Sequence, residues 1–77
     1  MTITIYGPGC ARCYETERRV RHVIEQAGIT ADVRKASDIV ELAKAGILAT
    51  PAIAIDGKVV SSGRIPSEDE IKGWIAG

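Results

Sequence analysis

The hydrophobic period of this chain changes abruptly within its first thirteen residues, and no other feature restricts the fold as much. Residues 2–6, Thr-Ile-Thr-Ile-Tyr, alternate and are rich in β-branched side chains, so they read as a strand. Gly7-Pro8-Gly9 breaks that pattern as a loop. From residue 10 to residue 27 the period is helical, with Cys13, Val20, Val23, Ile24 and Ala27 on one face and Gly28 where a helix-ending glycine belongs. A strand that turns into a helix through so short a link begins a strand–helix–strand unit, which is right-handed and parallel.

The remaining elements follow from local signals. Residues 30–34, with Ala31 and Val33, read as a short second strand. Asp38 with Glu41 makes an N-terminal capping pair for a short helix that places Ile39, Leu42 and Ala43 inward and stops near Gly46. Ala52-Ile53-Ala54-Ile55 and Lys58-Val59-Val60-Ser61 flank Asp56-Gly57, a hairpin signal because both turn residues tolerate positive φ. Ser67 and Glu70 form a second capping box, and the last helix presents Ile71, Trp74 and Ile75 to the core. The order is βαβαββα. It predicts an α/β fold with a four-stranded mixed sheet, flanked by three helices that cover both faces.

At 77 residues the chain has room for one domain, here 1–77, and not for two. It lacks Phe and has one Trp and two Tyr, so Ile, Val, Leu and Ala must build the core. Ten basic and ten acidic residues cancel, which argues against a nucleic-acid or membrane surface. The apolar runs are far shorter than the roughly 18 residues that span a bilayer. The first nine residues lack the charged start and apolar stretch of a signal peptide. The expectation is a soluble, cytoplasmic monomer.

In that compartment a close cysteine pair is more often catalytic or metal-binding than structural. A Cys10–Cys13 bridge would close a very short loop and stabilise by roughly 2 kcal/mol before strain, against about 3 for a 15-residue loop. Cys10-Ala11-Arg12-Cys13 follows a strand and opens a helix. Unpaired backbone N–H groups at a helix start carry partial positive charge and favour thiolate over thiol, by about 0.3–1 kcal/mol in ordinary geometry. Cys13, one turn along on the apolar face, is expected to be more buried and more protonated. The spacing suits exchange, in which Cys10 attacks a disulfide and Cys13 resolves the mixed disulfide. Arg12 either adds a fixed positive charge between the sulfurs or is an exposed arginine that contacts nothing. Thr50-Pro51 precedes an apolar strand, where proline removes a ladder hydrogen bond and so needs a reason to be there.

Three stretches resemble the thioredoxin-like superfamily, and most closely its small glutaredoxin-sized redox-active disulfide proteins. They are Ile3-Thr4-Ile5-Tyr6-Gly7-Pro8-Gly9-Cys10-Ala11-Arg12-Cys13, Gly46-Ile47-Leu48-Ala49-Thr50-Pro51-Ala52 and Ile55-Asp56-Gly57-Lys58-Val59-Val60. The resemblance covers essentially the whole chain. It implies the thioredoxin-like sheet order, a cis Thr50–Pro51 bond beside the cysteine pair, and a Thr50 backbone that pairs with an extended substrate segment. It implies catalytic roles for Cys10 (attacking) and Cys13 (resolving), substrate-binding roles for Thr50, Pro51 and Arg12, and no cofactor beyond a redox-active Cys10–Cys13 disulfide. The implied partners are protein disulfides and a reductase. Thioredoxins carry a buried Asp six residues before the first cysteine, where this chain has Thr4. The Gly-Gly-x-Asp segment that holds glutathione in glutaredoxins reads Ser62-Gly63-Arg64-Ile65-Pro66 here, without the acid, which favours a protein dithiol partner.

The other polar residues have plainer readings. Tyr6 either flanks the site or packs at the strand end, and Tyr14 covers the helix surface. Arg18, Arg19, Arg21 and His22 form a basic helix face, with Glu15 and Glu17 placed four residues before Arg19 and Arg21. The rival function is a soft-metal carrier, since paired thiolates bind Cu(I) or Zn(II). Small copper carriers, however, end in a strand, whereas this chain ends in a helix, and no Met or His near the pair adds a ligand. A redox-sensing interaction module would use the same thiols.

Overall fold

The computed structural model describes residues 1–7 and 11–76. Among these, the order is β1 (Thr2–Tyr6), α1 (Ala11–Ala27), β2 (Asp32–Ala36), α2 (Ile39–Lys44), β3 (Ala52–Ile55), β4 (Lys58–Ser62) and α3 (Glu68–Ala76). The strands form one mixed sheet in the order β2-β1-β3-β4. β1 runs parallel to β2 and antiparallel to β3, which is antiparallel to β4. This is the predicted α/β, thioredoxin-like βαβαββα arrangement.

Strand alternation sorts the side chains onto two unlike faces. Ile3 and Ile5 share one face with Ile53, their neighbour across β1 and β3, and α1 and α3 close over it with Val20, Val23, Ile71 and Ile75. Trp74 packs half-buried against the same core. The opposite face carries Thr4, Tyr6, Ala52 and Ala54. The large aliphatic side chains gather on the α1–α3 face, and the opposite face is covered over small ones, with Ala36, Ala52 and Ala54 buried.

α1 is closed by the bonds its sequence predicts. The Ile29 N–H donates to the Ile24 carbonyl at 3.2 Å and the Gly28 N–H to the Glu25 carbonyl at 3.2 Å. The predicted start at residue 10 lies outside the described residues. Ala27 is exposed rather than inward, and Thr16 is buried in the apolar stripe instead. Thr16 fits there because its hydroxyl donates to the Arg12 carbonyl one turn back, at 2.9 Å.

The other corrections have tertiary causes. β2 begins and ends two residues later than the sequence places it. Its register is set by β1, with Thr2 opposite Asp32 and Tyr6 opposite Ala36, and the Gly7 N–H extends the pairing to the Ala36 carbonyl at 2.9 Å. Lys35 and Ala36 are poor strand formers, so neighbouring hydrogen bonds override their propensity. α2 buries none of its residues, although Ile39, Leu42 and Ala43 were expected inward. Ile39 is 80% exposed, Ala43 is exposed and Leu42 is half-buried. Six residues make fewer than two turns, and α2 is tied down mainly through the turn that follows it. There the Ile47 N–H donates to the Leu42 carbonyl at 2.9 Å, and Ile47 is buried.

The hairpin turns on Asp56 and Gly57, with φ of 51° and 86°, the positive pair a two-residue loop needs to match strand twist. Asp56 also clamps β1. Its carboxylate accepts the Thr2 N–H at 2.8 Å and its own N–H donates to the Thr2 carbonyl at 2.8 Å. A bulge between Ile53 and Ala54 shifts the β3–β4 register, so Ser61 faces Ile53 while Val59 faces Ala54.

Candidate functional site around Cys13

α1 and the end of β1 meet at Cys13. The side chain lies in the first turn of α1 and is buried at 6% exposure, as the helical period predicts. It packs on the backbone of Gly7, the residue that follows β1. A Cβ at position 7 would stand 2.2 Å from Cys13 Sγ and 3.1 Å from its Cβ, and 4.0 Å from Thr50 Cβ. Only a residue without a side chain lets the sulfur sit there. Gly7, Cys13 and Thr50 thus converge from the end of β1, the first turn of α1 and the distant loop before β3. Cys10, the first sulfur of the pair, lies outside the described residues.

The loop before β3 supplies the opposite side. Thr50 is half-buried, Pro51 is fully buried, and the bond between them is cis. The Pro51 carbonyl accepts the Gly63 N–H at 3.0 Å. The Gly63 carbonyl in turn accepts from the exposed Arg12 guanidinium at 3.3 Å. Arg12 therefore does make a contact, spanning from the start of α1 to the segment after β4. Gly63 joins Pro51 and Arg12 through its two backbone groups. The roles of Gly7 and Gly63 are not legible in the sequence, because each depends on how separate segments pack in the fold. Tyr6, half-buried at the end of β1, points to the other face of the sheet.

The acidic residues of α1 lie beyond its first turn, which among the described residues holds Arg12 and no carboxylate. Glu15 is held at a pKa of about 2 by hydrogen bonds from Arg18 and Arg19. Burial pushes Glu17 up, but hydrogen bonds from Arg21 and Lys35 outweigh it and leave the carboxyl below its ordinary range. The predicted Glu15–Arg19 and Glu17–Arg21 pairs both form. The basic face does more than pair locally. Arg19 donates to the Pro66 carbonyl at 2.8 Å and His22 meets Glu68 at 2.9 Å, so both fasten α1 to the start of α3. Glu70 accepts from Arg64 and from Ser67, which holds its carboxyl at about 2. Among the described residues no three His, Cys, Asp or Glu side chains gather in a group that could hold a metal. None of the described helices is long and apolar enough to cross a membrane.

Comparison with known proteins agrees with this geometry over the full length. The chain is 39% identical over 72 residues to a thioredoxin of Methanothermobacter thermautotrophicus, a match that covers 94% of each protein. It is 39% identical over 72 residues to a thioredoxin of Methanocaldococcus jannaschii, covering 94% of this chain and 83% of that one. Residues 1–76 match the profile of the thioredoxin domain. A strand–helix start with a buried cysteine against Gly7, a Thr-Pro loop opposite it, and similarity end to end together place the chain in the thioredoxin domain family.

Proposed function

We propose that this protein is a thiol–disulfide oxidoreductase that reduces protein disulfides through Cys10 and Cys13. The observation that carries the reading is the seat of Cys13: a cysteine buried on Gly7, beside Thr50, three residues after a second cysteine. Burial suits a resolving thiol, which must react with its near neighbour and not with solvent oxidants. The Cys10 thiolate attacks one sulfur of a substrate disulfide, forms a mixed disulfide and expels the other sulfur as a thiolate. The Cys13 thiolate then attacks the Cys10 sulfur. It forms the Cys10–Cys13 disulfide and releases the second substrate thiol. Two electrons pass from the dithiol to the substrate, and an external dithiol reductase returns the protein to its reduced state.

In this proposal Thr50 and Pro51 line the side on which an extended substrate segment lies, and Arg12 borders it. The protein acts as a single-domain cytoplasmic monomer on residues 1–77. Its partners are protein disulfides and a reductase, with no further cofactor. Family membership supports the reaction class, and the absence of an acid in residues 62–66 favours a protein partner over glutathione.

The test is insulin reduction by the dithiol form, with Cys10→Ser and Cys13→Ser beside the wild type. Cys10→Ser is expected to lose turnover altogether. Cys13→Ser is expected to accumulate a mixed disulfide with substrate. Equal turnover by Cys10→Ser and wild type would overturn the assignment.

A further inference from the structure

A cleft of about 520 Å³ opens on the sheet face away from α1, between the sheet and α2, within the range of about 300–1,000 Å³ typical of small-ligand sites. Its floor is Thr4, Tyr6 and Ala36, and its rim includes Arg34 from β2 with Glu41 and Lys44 from α2. It is distinct from the Cys13 site, which lies on the opposite face.

The charges lining this cleft are unspent. Among the described residues Arg18, Arg19, Arg21, Lys35 and Arg64 each sit on a glutamate, whereas Lys58 and Lys72 stand alone on the surface, away from this cleft. Lys35 also borders the cleft, but its ammonium is turned to Glu17 on the other face, 3.4 Å away. Arg34 and Lys44 pair with nothing among the described residues, and neither do the hydroxyls of Thr4 and Tyr6. The Asp38 carboxylate, the nearest other acid to Glu41 in sequence, is engaged in capping α2 through the Val40 N–H at 2.8 Å. Two cations against one carboxylate leave the cleft with net positive charge. Its lining adds a planar guanidinium fork, a point charge and two hydroxyl donors, the donor types that hold anionic oxygens.

We propose that this cleft binds a small anion with several charged oxygens, of the phosphate or pyrophosphate class. Arg34 takes two oxygens, Lys44 neutralises the remaining charge, and the Thr4 and Tyr6 hydroxyls donate from the floor. Glu41 opposes the anion and limits its affinity. The inference does not use the cysteines, so its failure leaves the redox reading untouched.

The experiment is a titration of the full-length protein with inorganic phosphate and with pyrophosphate at constant ionic strength, followed by amide chemical shifts. The expected result is saturable shifts at Thr4, Tyr6, Ala36 and Ala45. Arg34→Ala and Lys44→Ala should each weaken binding about tenfold, as for loss of a charge-assisted hydrogen bond. Glu41→Gln should tighten it about threefold by removing a like charge at the rim. All three side chains are exposed and tied to no partner among the described residues, so the variants fold. Shifts that never saturate, or that survive unchanged in Arg34→Ala and Lys44→Ala, overturn the proposal. Weaker binding by Glu41→Gln overturns it as well.

Discussion

Two single residues show how tightly local packing limits the choice of side chain. Gly7 is conformationally ordinary. Its importance is space, because the sulfur of Cys13 occupies the volume a side chain would fill. Gly7→Ala is therefore expected to lose about 1–3 kcal/mol, the usual range for overpacking, and to push Cys13 outward. Urea denaturation measures the first effect and the alkylation rate of Cys13 the second. An unchanged midpoint would show that the site relaxes freely. Ser61 gives the opposite case. Its hydroxyl is buried on β4 with no hydrogen-bond partner among the described residues. A buried, unmet hydroxyl costs about 1–3 kcal/mol, so Ser61→Ala is expected to leave the protein at least as stable as wild type in the same urea experiment.

The elements differ in how firmly they are held. α1 and α3 each contribute buried side chains to the core and are cross-tied by Arg19 and His22, whereas α2 contributes none. Local stability follows buried apolar contact, so α2 belongs to the low end of the range. Hydrogen exchange of the amides between residues 40 and 45 is expected to be faster than that of α1 by orders of magnitude. Asp38→Ala removes the cap at Val40, worth about 0.5–2 kcal/mol to the helix. It should speed exchange in α2 while leaving the global urea midpoint nearly unchanged. A large global loss would mean that α2 supports the core after all.

Across the whole molecule, stability is concentrated in one layer of aliphatic side chains and trimmed by a few surface carboxylates. Ile53→Ala is expected to cost about 2–5 kcal/mol, as for a fully buried isoleucine, while the exposed Ile39→Ala should stay within about 0.5 kcal/mol. Denaturant titration of the two variants checks the contrast. Acid adds a second handle. Glu15 and Glu70 have folded pKa values of about 2 against an ordinary 4.5, held down by Arg18 with Arg19 and by Arg64 with Ser67. A depressed carboxyl stabilises the fold fully above its unfolded value, and that contribution fades as pH falls through the folded one. Melting temperature should therefore decline between about pH 4.5 and pH 2. The Glu15→Gln, Glu70→Gln double variant should show a flatter acid limb, and an identical slope would remove these pairs from the account.

Much of this protein is written in local pattern. Alternation in residues 2–6, the helical stripe after the Gly-Pro-Gly link, the Asp56-Gly57 turn and the Ser67–Glu70 cap each report backbone preferences carried by neighbouring residues, and neighbours are present in any sequence. The C-x-x-C spacing and its place after a strand are legible for the same reason. The tertiary structure alone decided the register of β2, the bulge in β4 and the exposure of α2. It also decided that the backbone of Gly7 must make room for a sulfur and that Gly63 links Pro51 to Arg12. Each of those is a contact between segments that only folding brings together, so its energy belongs to a pair of distant residues and neither one's local sequence records it.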